Sequence, residues 1–423
     1  MSQRRPEGRV AEQPSSQPSW PRPARVAAVG SGRSHARPHT LVVRLDSVGD
    51  VLLAGPAIRA AAACSRRVTV LASPRGASAA RLLPGVDEVV ECAAPWIVAD
   101  PAPVDRVEIE ALVAAIADRE VDVAMVLTSF HQSPLPTALC LRMAGVGTIG
   151  AVSVDYPGSL LDLRHAVVDD IHEVERSLSL AGAMGFSLPA GDDGRLGVRH
   201  PLPQVPVTFP ARGRPIVVVH PGASVPARGW SARRHRQLVA ELGGRLHPVV
   251  VTGSGDEREL TAFVASGHPA AVDLGGATED LAGLAAVIAA AAVVVVGNTG
   301  PAHLAAAVGT QVVSLFAPTV PAVRWRPWGV ASVLLGAQDI ACAGCRARVC
   351  PVPGHPCIDR VDTAEVVAAV ESLLAAGAEQ REPDAAEPDA AEPDAAADAP
   401  ASSTPPSRAQ NRGGLRCGRG VPA

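Results

Sequence analysis

Short, mostly apolar runs constrain this chain more than any other feature. Leu41–Leu45, Val68–Ala72, Val121–Leu127, Ile216–His220, Pro248–Thr252, Ala292–Val296 and Val312–Phe316 are rich in Val and bounded by Gly, Pro, Asp or Ser. A strand with one face in water alternates apolar and polar residues. An unbroken run belongs to a strand covered on both faces, which is the setting of a parallel sheet. The stretches between the runs are Ala-rich and helical in pattern, and parallel strands need such crossovers. The expected fold class is α/β, with two Rossmann-like, doubly wound parallel-sheet domains and the active site in the interdomain cleft. In that architecture ligands sit beyond the carboxyl ends of the strands.

Composition places the boundaries. Residues 1–39 are rich in Arg, Pro and Ser without an apolar run, and read as a disordered leader rather than a secretory signal. Residues 40–200 form the N-terminal domain. Residues 201–214, with Pro201, Pro203, Pro206 and Pro210, read as a Pro-rich hinge. Residues 215–375 form the C-terminal domain. Residues 376–423, with three Glu-Pro-Asp-Ala-Ala units from Glu382 to Ala396, carry too little apolar surface to bury and read as a disordered tail.

Several functions are disfavoured at this level. The net charge of −4 argues against a broad nucleic-acid footprint, so no nucleic-acid partner is expected. The longest apolar stretch, Ala285–Val296, is well short of the ~20 residues that span a bilayer, which leaves at most peripheral membrane contact. Four of the eight Cys lie within Cys342–Cys357 rather than spread as a disulfide framework. A reducing, cytoplasmic location follows, with the inner face of the membrane as the place for any peripheral contact. The chain has no Lys, so any phosphate-binding cation must be Arg or His.

Four strand ends carry groups with chemistry. In Arg44-Leu45-Asp46-Ser47-Val48-Gly49-Asp50-Val51, Asp50 falls at or near a helix start. A helix cap is the plainer reading of that carboxylate, and a general base facing a cleft is the functional one. His220-Pro221-Gly222-Ala223-Ser224, running on to Arg228-Gly229-Trp230, offers backbone donors, the Ser224 hydroxyl and the Arg228 guanidinium to a diphosphate. An ordinary surface loop is the alternative. Thr252-Gly253-Ser254-Gly255-Asp256-Glu257 brings acids to a turn where ribose hydroxyls or a helix start would use them. Gly297-Asn298-Thr299-Gly300-Pro301-Ala302-His303 runs from a buried strand into a helix whose first turn suits Pro301. That helix would aim its N–H groups at an anion, with Thr299, Gly300 and His303 beside it.

The ordered set Asp46-Ser47-Val48-Gly49-Asp50-Val51, His220-Pro221-Gly222-Ala223 and Gly297–His303 resembles glycosyltransferase family 9, the ADP-heptose:lipopolysaccharide heptosyltransferases and their relatives. The resemblance covers roughly Leu41 to Leu374. It implies a GT-B fold with the acceptor in the N-terminal domain and the nucleotide sugar in the C-terminal one. It also implies Asp50 as catalytic base, and donor binding by Ser224, Arg228, Glu257, Thr299, Gly300 and His303. Asn298 stands where many members have Asp, and Arg228 where many have Lys. The implied function is inverting transfer of a sugar, with heptose and an ADP-linked donor the first candidates. The acceptor would be lipid- or glycan-linked, in cell-envelope glycan synthesis. A nucleotide-sugar epimerase or hydrolase, and a non-catalytic nucleotide-sugar-binding protein, are the alternatives. The absence of an Asp-x-Asp triplet favours metal-independent transfer that requires no cofactor.

One motif stands outside this set. Cys342-x2-Cys345-x4-Cys350-x6-Cys357 can hold a structural zinc through four thiolates, or form a reduced structural loop, and the spacing does not separate the two.

Overall fold

The computed structural model describes residues 37–98, 100–168, 170–205 and 214–379. Most of the leader, the hinge positions 206–213 and the tail from 380 onward lie outside the described residues. At two boundaries ordered structure extends further than composition suggested. The first strand already includes His39, and the last helix, Thr363–Glu379, runs past residue 375. His39 belongs to the sheet because its ring bonds the Arg119 carbonyl at 2.9 Å and the Thr69 hydroxyl at 2.9 Å.

The first sheet has six parallel strands: β1 (His39–Arg44), β2 (Arg67–Ala72), β3 (Glu88–Glu91), β4 (Val123–Leu127), β5 (Thr148–Val152) and β6 (Leu163–His165), in the order β3-β2-β1-β4-β5-β6. The second has β7 (Val217–His220), β8 (Val249–Gly253), β9 (Val272–Gly275), β10 (Val293–Gly297), β11 (Gln311–Leu315) and β12 (Ser332–Leu335). Its order, β12-β11-β10-β7-β8-β9, repeats that of the first sheet, strand for strand. Both sheets are doubly wound. In each the chain reverses its winding direction beside the first strand, between β1 and β4 and between β7 and β10, and such switch points open crevices at the carboxyl ends.

The seven apolar runs became β1, β2, β4, β7, β8, β10 and β11, and these strands are largely or wholly buried. The others mostly lie toward the sheet edges; β3, β6, β9 and β12 are short and half-exposed, so their sequences alternate or stay mixed. β5, with a buried centre at Ile149–Ala151, was concealed by its Gly and Thr content.

The two halves meet over a shared apolar cluster. Val51, Ala79 and Ala80 of the first half are in one core with Ala302, Leu304 and Ala305 of the second. Polar ties flank it. The His172 ring stacks on Trp328 with centroids 4.5 Å apart, and its Nε2 donates to the Arg326 carbonyl at 2.9 Å. Arg324 lies over the Phe130 ring, 3.2 Å from its centroid, and pairs with Asp170 at 2.7 Å.

Candidate active site

Asp50 follows β1 at the first switch point. The helix Val48–Leu53 begins there with Ser47 as its cap residue, so Asp50 is the third helical residue and not the cap. Its carboxylate is committed elsewhere. Oδ2 accepts from the Ser47 hydroxyl at 2.9 Å, and Oδ1 from Arg44 Nη2 at 3.1 Å. Arg44, the last residue of β1, is buried and gathers three acids: Asp46 at 2.9 Å, Asp50 at 3.1 Å and Glu173 at 3.2 Å. Ser129 accepts a further Arg44 bond at 3.0 Å. A guanidinium can serve this many partners because its five donors fan out in a plane.

The charges in this hub are unequal. Burial pushes the Asp50 carboxyl up, but the Arg44 charge, the Ser47 hydroxyl and His303 outweigh it, and the group ends below its ordinary value. Asp46 goes the other way. Burial and the neighbouring Asp50 charge raise it to about 6, against the pull of Arg44 and a 2.7 Å bond from Gln132. At neutral pH Asp50 is therefore an ionised acceptor of protons with about a fifth of its side chain exposed (19%).

Across the floor of the cleft stands the turn after β10. The helix Gly300–Ala307 starts at Thr299, with Pro301 in its first turn. Its start abuts the start of the Asp50 helix. A Cβ on Gly49 would stand 2.8 Å from His303 Cδ2, and one on Gly300 would stand 3.2 Å from Val48 Cγ1. Glycines at both faces allow the two backbones this approach. Asn298 Nδ2, Thr299 Oγ1 and His303 Nδ1 are buried here without a hydrogen-bond partner in the protein. Buried polar atoms are almost always paired, and these three on a single turn are available to a polar ligand. Burial, with Arg228 nearby, lowers His303 to about 4 despite the opposing pull of Asp50. Its ring is thus neutral at pH 7.

The other predicted groups divide. Arg228 ends a single 3-10 turn, Pro226–Arg228, and its Nε donates to the Thr319 hydroxyl at 3.3 Å. Burial lowers its pKa and the Asp50 charge opposes that; its backbone lies against the end of β10, where a Cβ on Gly297 would stand 3.4 Å from the Arg228 carbonyl. Glu257 is half-buried; its Oε2 accepts from the Ser254 N–H at 2.8 Å, and its carboxylate lies so close to Gly222 that a Cβ there would overlap it. Asp256 of the same turn is exposed. Ser224 is exposed and makes no hydrogen bond among the described residues. The structure thus brings together Asp50, Arg228, Thr299, Gly300 and His303, sets Glu257 against the His220–Gly222 loop, and leaves Ser224 at the rim.

Sequence reasoning gave no role to Arg44, Asp46, Glu173 or Thr319. For Arg44 a signal existed, since a charged residue closing an otherwise apolar strand needs buried partners. Glu173 lies 129 residues away and carried none.

The cysteines converge as well. Cys342, Cys345, Cys350 and Cys357 line one cavity of about 30 Å³ together with Ala227, Thr319 and His355. Burial raises the Cys357 thiol, and its three neighbours add to that. As they stand, no three His, Cys, Asp or Glu groups among the described residues are arranged to hold a metal ion.

Residues 110–355, more than half of the chain, match the model of glycosyltransferase family 9 (heptosyltransferase). The chain belongs to glycosyltransferase family 9. It is 31% identical over 241 residues to lipopolysaccharide heptosyltransferase 1 of Pseudomonas aeruginosa, a match spanning 55% of this chain and 64% of that protein. It is 24% identical over 217 residues to lipooligosaccharide heptosyltransferase 2 of Campylobacter jejuni, across 50% of this chain and again 64% of the relative. These matches cover less than two thirds of either relative. Among solved structures, a family 9 glycosyltransferase from Veillonella parvula superposes with a TM-score of 0.63 at 14% identity, covering 81% of this chain and 98% of that one. The E. coli ADP-heptose lps heptosyltransferase II superposes with a TM-score of 0.59 at 21% identity, over 80% and 99% of the two chains. The family 9 fold is therefore the GT-B pair of doubly wound sheets. The family match begins after Asp50, so the case for that residue rests on its geometry.

Proposed function

We propose that this chain transfers a sugar, heptose in the first instance, from an ADP-linked donor to a lipid- or glycan-linked acceptor in cell-envelope glycan synthesis. The observation that carries the reading is an ionised carboxylate, Asp50, set across a glycine contact from a turn with three unpartnered buried polar atoms. Family membership and the named activities of the relatives support the choice of donor and of lipopolysaccharide core synthesis.

The chemistry is a single displacement. Asp50 takes the proton of an acceptor hydroxyl as its oxygen attacks the anomeric carbon from the face opposite the diphosphate, which departs with the bonding pair. One base and one attack invert the configuration. The charge growing on the diphosphate is met by Arg228, by the N–H groups at the start of the helix Gly300–Ala307, and by Thr299 and His303. We assign this neutralisation to protein groups rather than a divalent ion, because the sequence has no Asp-x-Asp triplet and supplies a guanidinium instead. Glu257 is assigned to the donor ribose, and Ser224 to the outer edge of the diphosphate. A protein that only bound the nucleotide would gain nothing from a charged base held by its own buried cation in the opposite half.

The decisive test is Asp50→Asn. Transfer should fall by at least about a hundredfold, the usual share of a general base, with ADP binding nearly unchanged. A variant that still turns over at the wild-type rate rejects Asp50 as the base.

A further inference from the structure

We propose that the cysteine loop, Cys342–Cys357, sets the position of Arg228, with His355 as the positioning residue. This rests on the reading of Arg228 as a diphosphate ligand.

The turn that carries Arg228 is weak by itself. It has three residues, no side-chain cap, and only its own short backbone bonds, Arg228 N–H to the Val225 carbonyl at 2.8 Å and Gly229 N–H to the Pro226 carbonyl at 3.1 Å. A 3-10 turn has poorer hydrogen-bond geometry than an α-helix, so bonds from neighbouring segments add materially to its hold. The loop supplies that support at the residue before Arg228. Ala227 N–H donates to the Arg348 carbonyl at 3.0 Å, and the Ala227 carbonyl accepts from His355 Nε2 at 3.1 Å. Both backbone groups of a buried residue are thereby committed to the loop.

The loop also holds the far end of the side chain. The Thr319 hydroxyl accepts from Arg228 Nε, and the backbone around Thr319 is tied to the same loop. The Thr319 carbonyl accepts from Arg346 N–H at 3.0 Å, and the Pro318 carbonyl from Gly344 N–H at 2.7 Å. Just beyond the turn, Ser231 N–H donates to the Asp359 carboxylate at 3.2 Å. The backbone of Arg228 and the partner of its guanidinium are thus fixed by a single segment, whose thiols line the cavity between them. Among the described residues, His355 is the one side chain of that segment hydrogen-bonded directly to the turn. Its hydrogen bond goes to the Ala227 carbonyl, so its influence passes through Ala227.

The test uses His355→Ala, His355→Gln and Arg228→Ala in the full chain, with ADP as the probe and titration calorimetry as the readout. His355→Ala should weaken ADP binding about tenfold, the usual cost of one lost hydrogen bond that orders a site. His355→Gln, whose amide N–H can reach the Ala227 carbonyl, should recover most of the loss. In an Arg228→Ala background His355→Ala should add almost nothing, because the two act as one unit. The proposal is overturned if His355→Ala binds ADP as the wild type does. It is equally overturned if the Ala and Gln variants are impaired alike, or if the loss persists undiminished without Arg228. Arg228→Ala with unchanged ADP affinity would instead sink the diphosphate reading, a result separable from all of these.

Discussion

Asp50 stays ionised in a half-buried place because the fold delivers a cation to it before any ligand arrives. Arg44 is that cation, and its other partners, Asp46 and Glu173, hold its fork in the orientation that leaves one nitrogen for Asp50. Burial, with the Asp50 charge beside it, raises the Asp46 carboxyl to about 6 against the pull of Arg44, while Glu173 has a second cation, Arg176, at 3.8 Å. A group whose folded pKa lies above its unfolded value stabilises the fold when protonated and loses that contribution as pH rises through the folded value. Asp46→Asn, which never ionises, should therefore gain on the wild type between pH 4.5 and pH 7.5, by about 1–3 kcal/mol. Urea unfolding of both proteins at the two pH values measures this, and the difference between pH values cancels any fixed cost of the substitution. A gap that does not change with pH would show that Asp46 is ionised throughout. Little of this hub was legible beforehand. Arg44 and Asp46 were visible in the motif, but Glu173 comes from a distant helix and joins them only through the packing of that helix on the first sheet.

At the scale of elements, the site is a junction of two helix starts. The Gly49 and Gly300 faces differ in tolerance, and that difference is measurable. Gly49→Ala places a methyl 2.8 Å from the His303 ring, which is buried and has little room to yield, whereas Gly300→Ala meets the Val48 side chain at 3.2 Å. Gly49→Ala should lower kcat by roughly 10- to 100-fold, as displacements of a fraction of an ångström to one ångström do in a reacting pair. Gly300→Ala should cost less, and circular dichroism should show both variants folded. Equal, small effects from both would mean that the junction is looser than its contacts imply. The cysteine loop is a second element with its own test. We propose zinc for it on the chemistry of its donors, four thiols lining one small cavity, although among the described residues no three such groups are placed to hold a metal as they stand. Elemental analysis should then return about one zinc per chain. A fully active preparation without zinc would identify a reduced structural loop instead.

For the whole molecule, buried histidines set the acid limit. Burial holds His172 at about 3, and His235 and His303 at about 4, against an ordinary 6.5. His172 shows the cause in its bonds: Nδ1 accepts from the Val174 N–H at 3.2 Å while Nε2 donates to the Arg326 carbonyl, so the ring is neutral and fully used. Between the folded and unfolded values the unfolded chain binds more protons, and stability must fall as pH drops through that window. From pH 7.5 to pH 5 the loss should reach about 1–3 kcal/mol for each of these histidines, seen as a falling urea midpoint. A midpoint that holds constant to pH 5 would mean that these rings reach water. Because His172 ties the first half to Trp328 and Arg326, and His303 lies at the helix junction, acid should loosen the contact between the halves together with their cores. Among the described residues no helix is long and apolar enough to cross a membrane.

The amino-acid sequence by itself determined the two-sheet α/β architecture, because a strand buried on both faces is apolar at most positions, and that pattern is local. It also determined the chemistry at the strand ends, where Gly49-Asp50 and Asn298-Thr299-Gly300 stand out as short words. Only the tertiary structure decided that these words touch. Asp50 and His303 are brought together by the packing of two helix starts, one from each half, and no spacing along the chain encodes such a meeting. The cation that keeps Asp50 charged, and the loop that holds Arg228 in place, are likewise products of contacts between distant segments. Local patterns follow from the covalent order of neighbours. The electrostatics of a buried site follow from which groups share a space without water, and folding alone assembles that set.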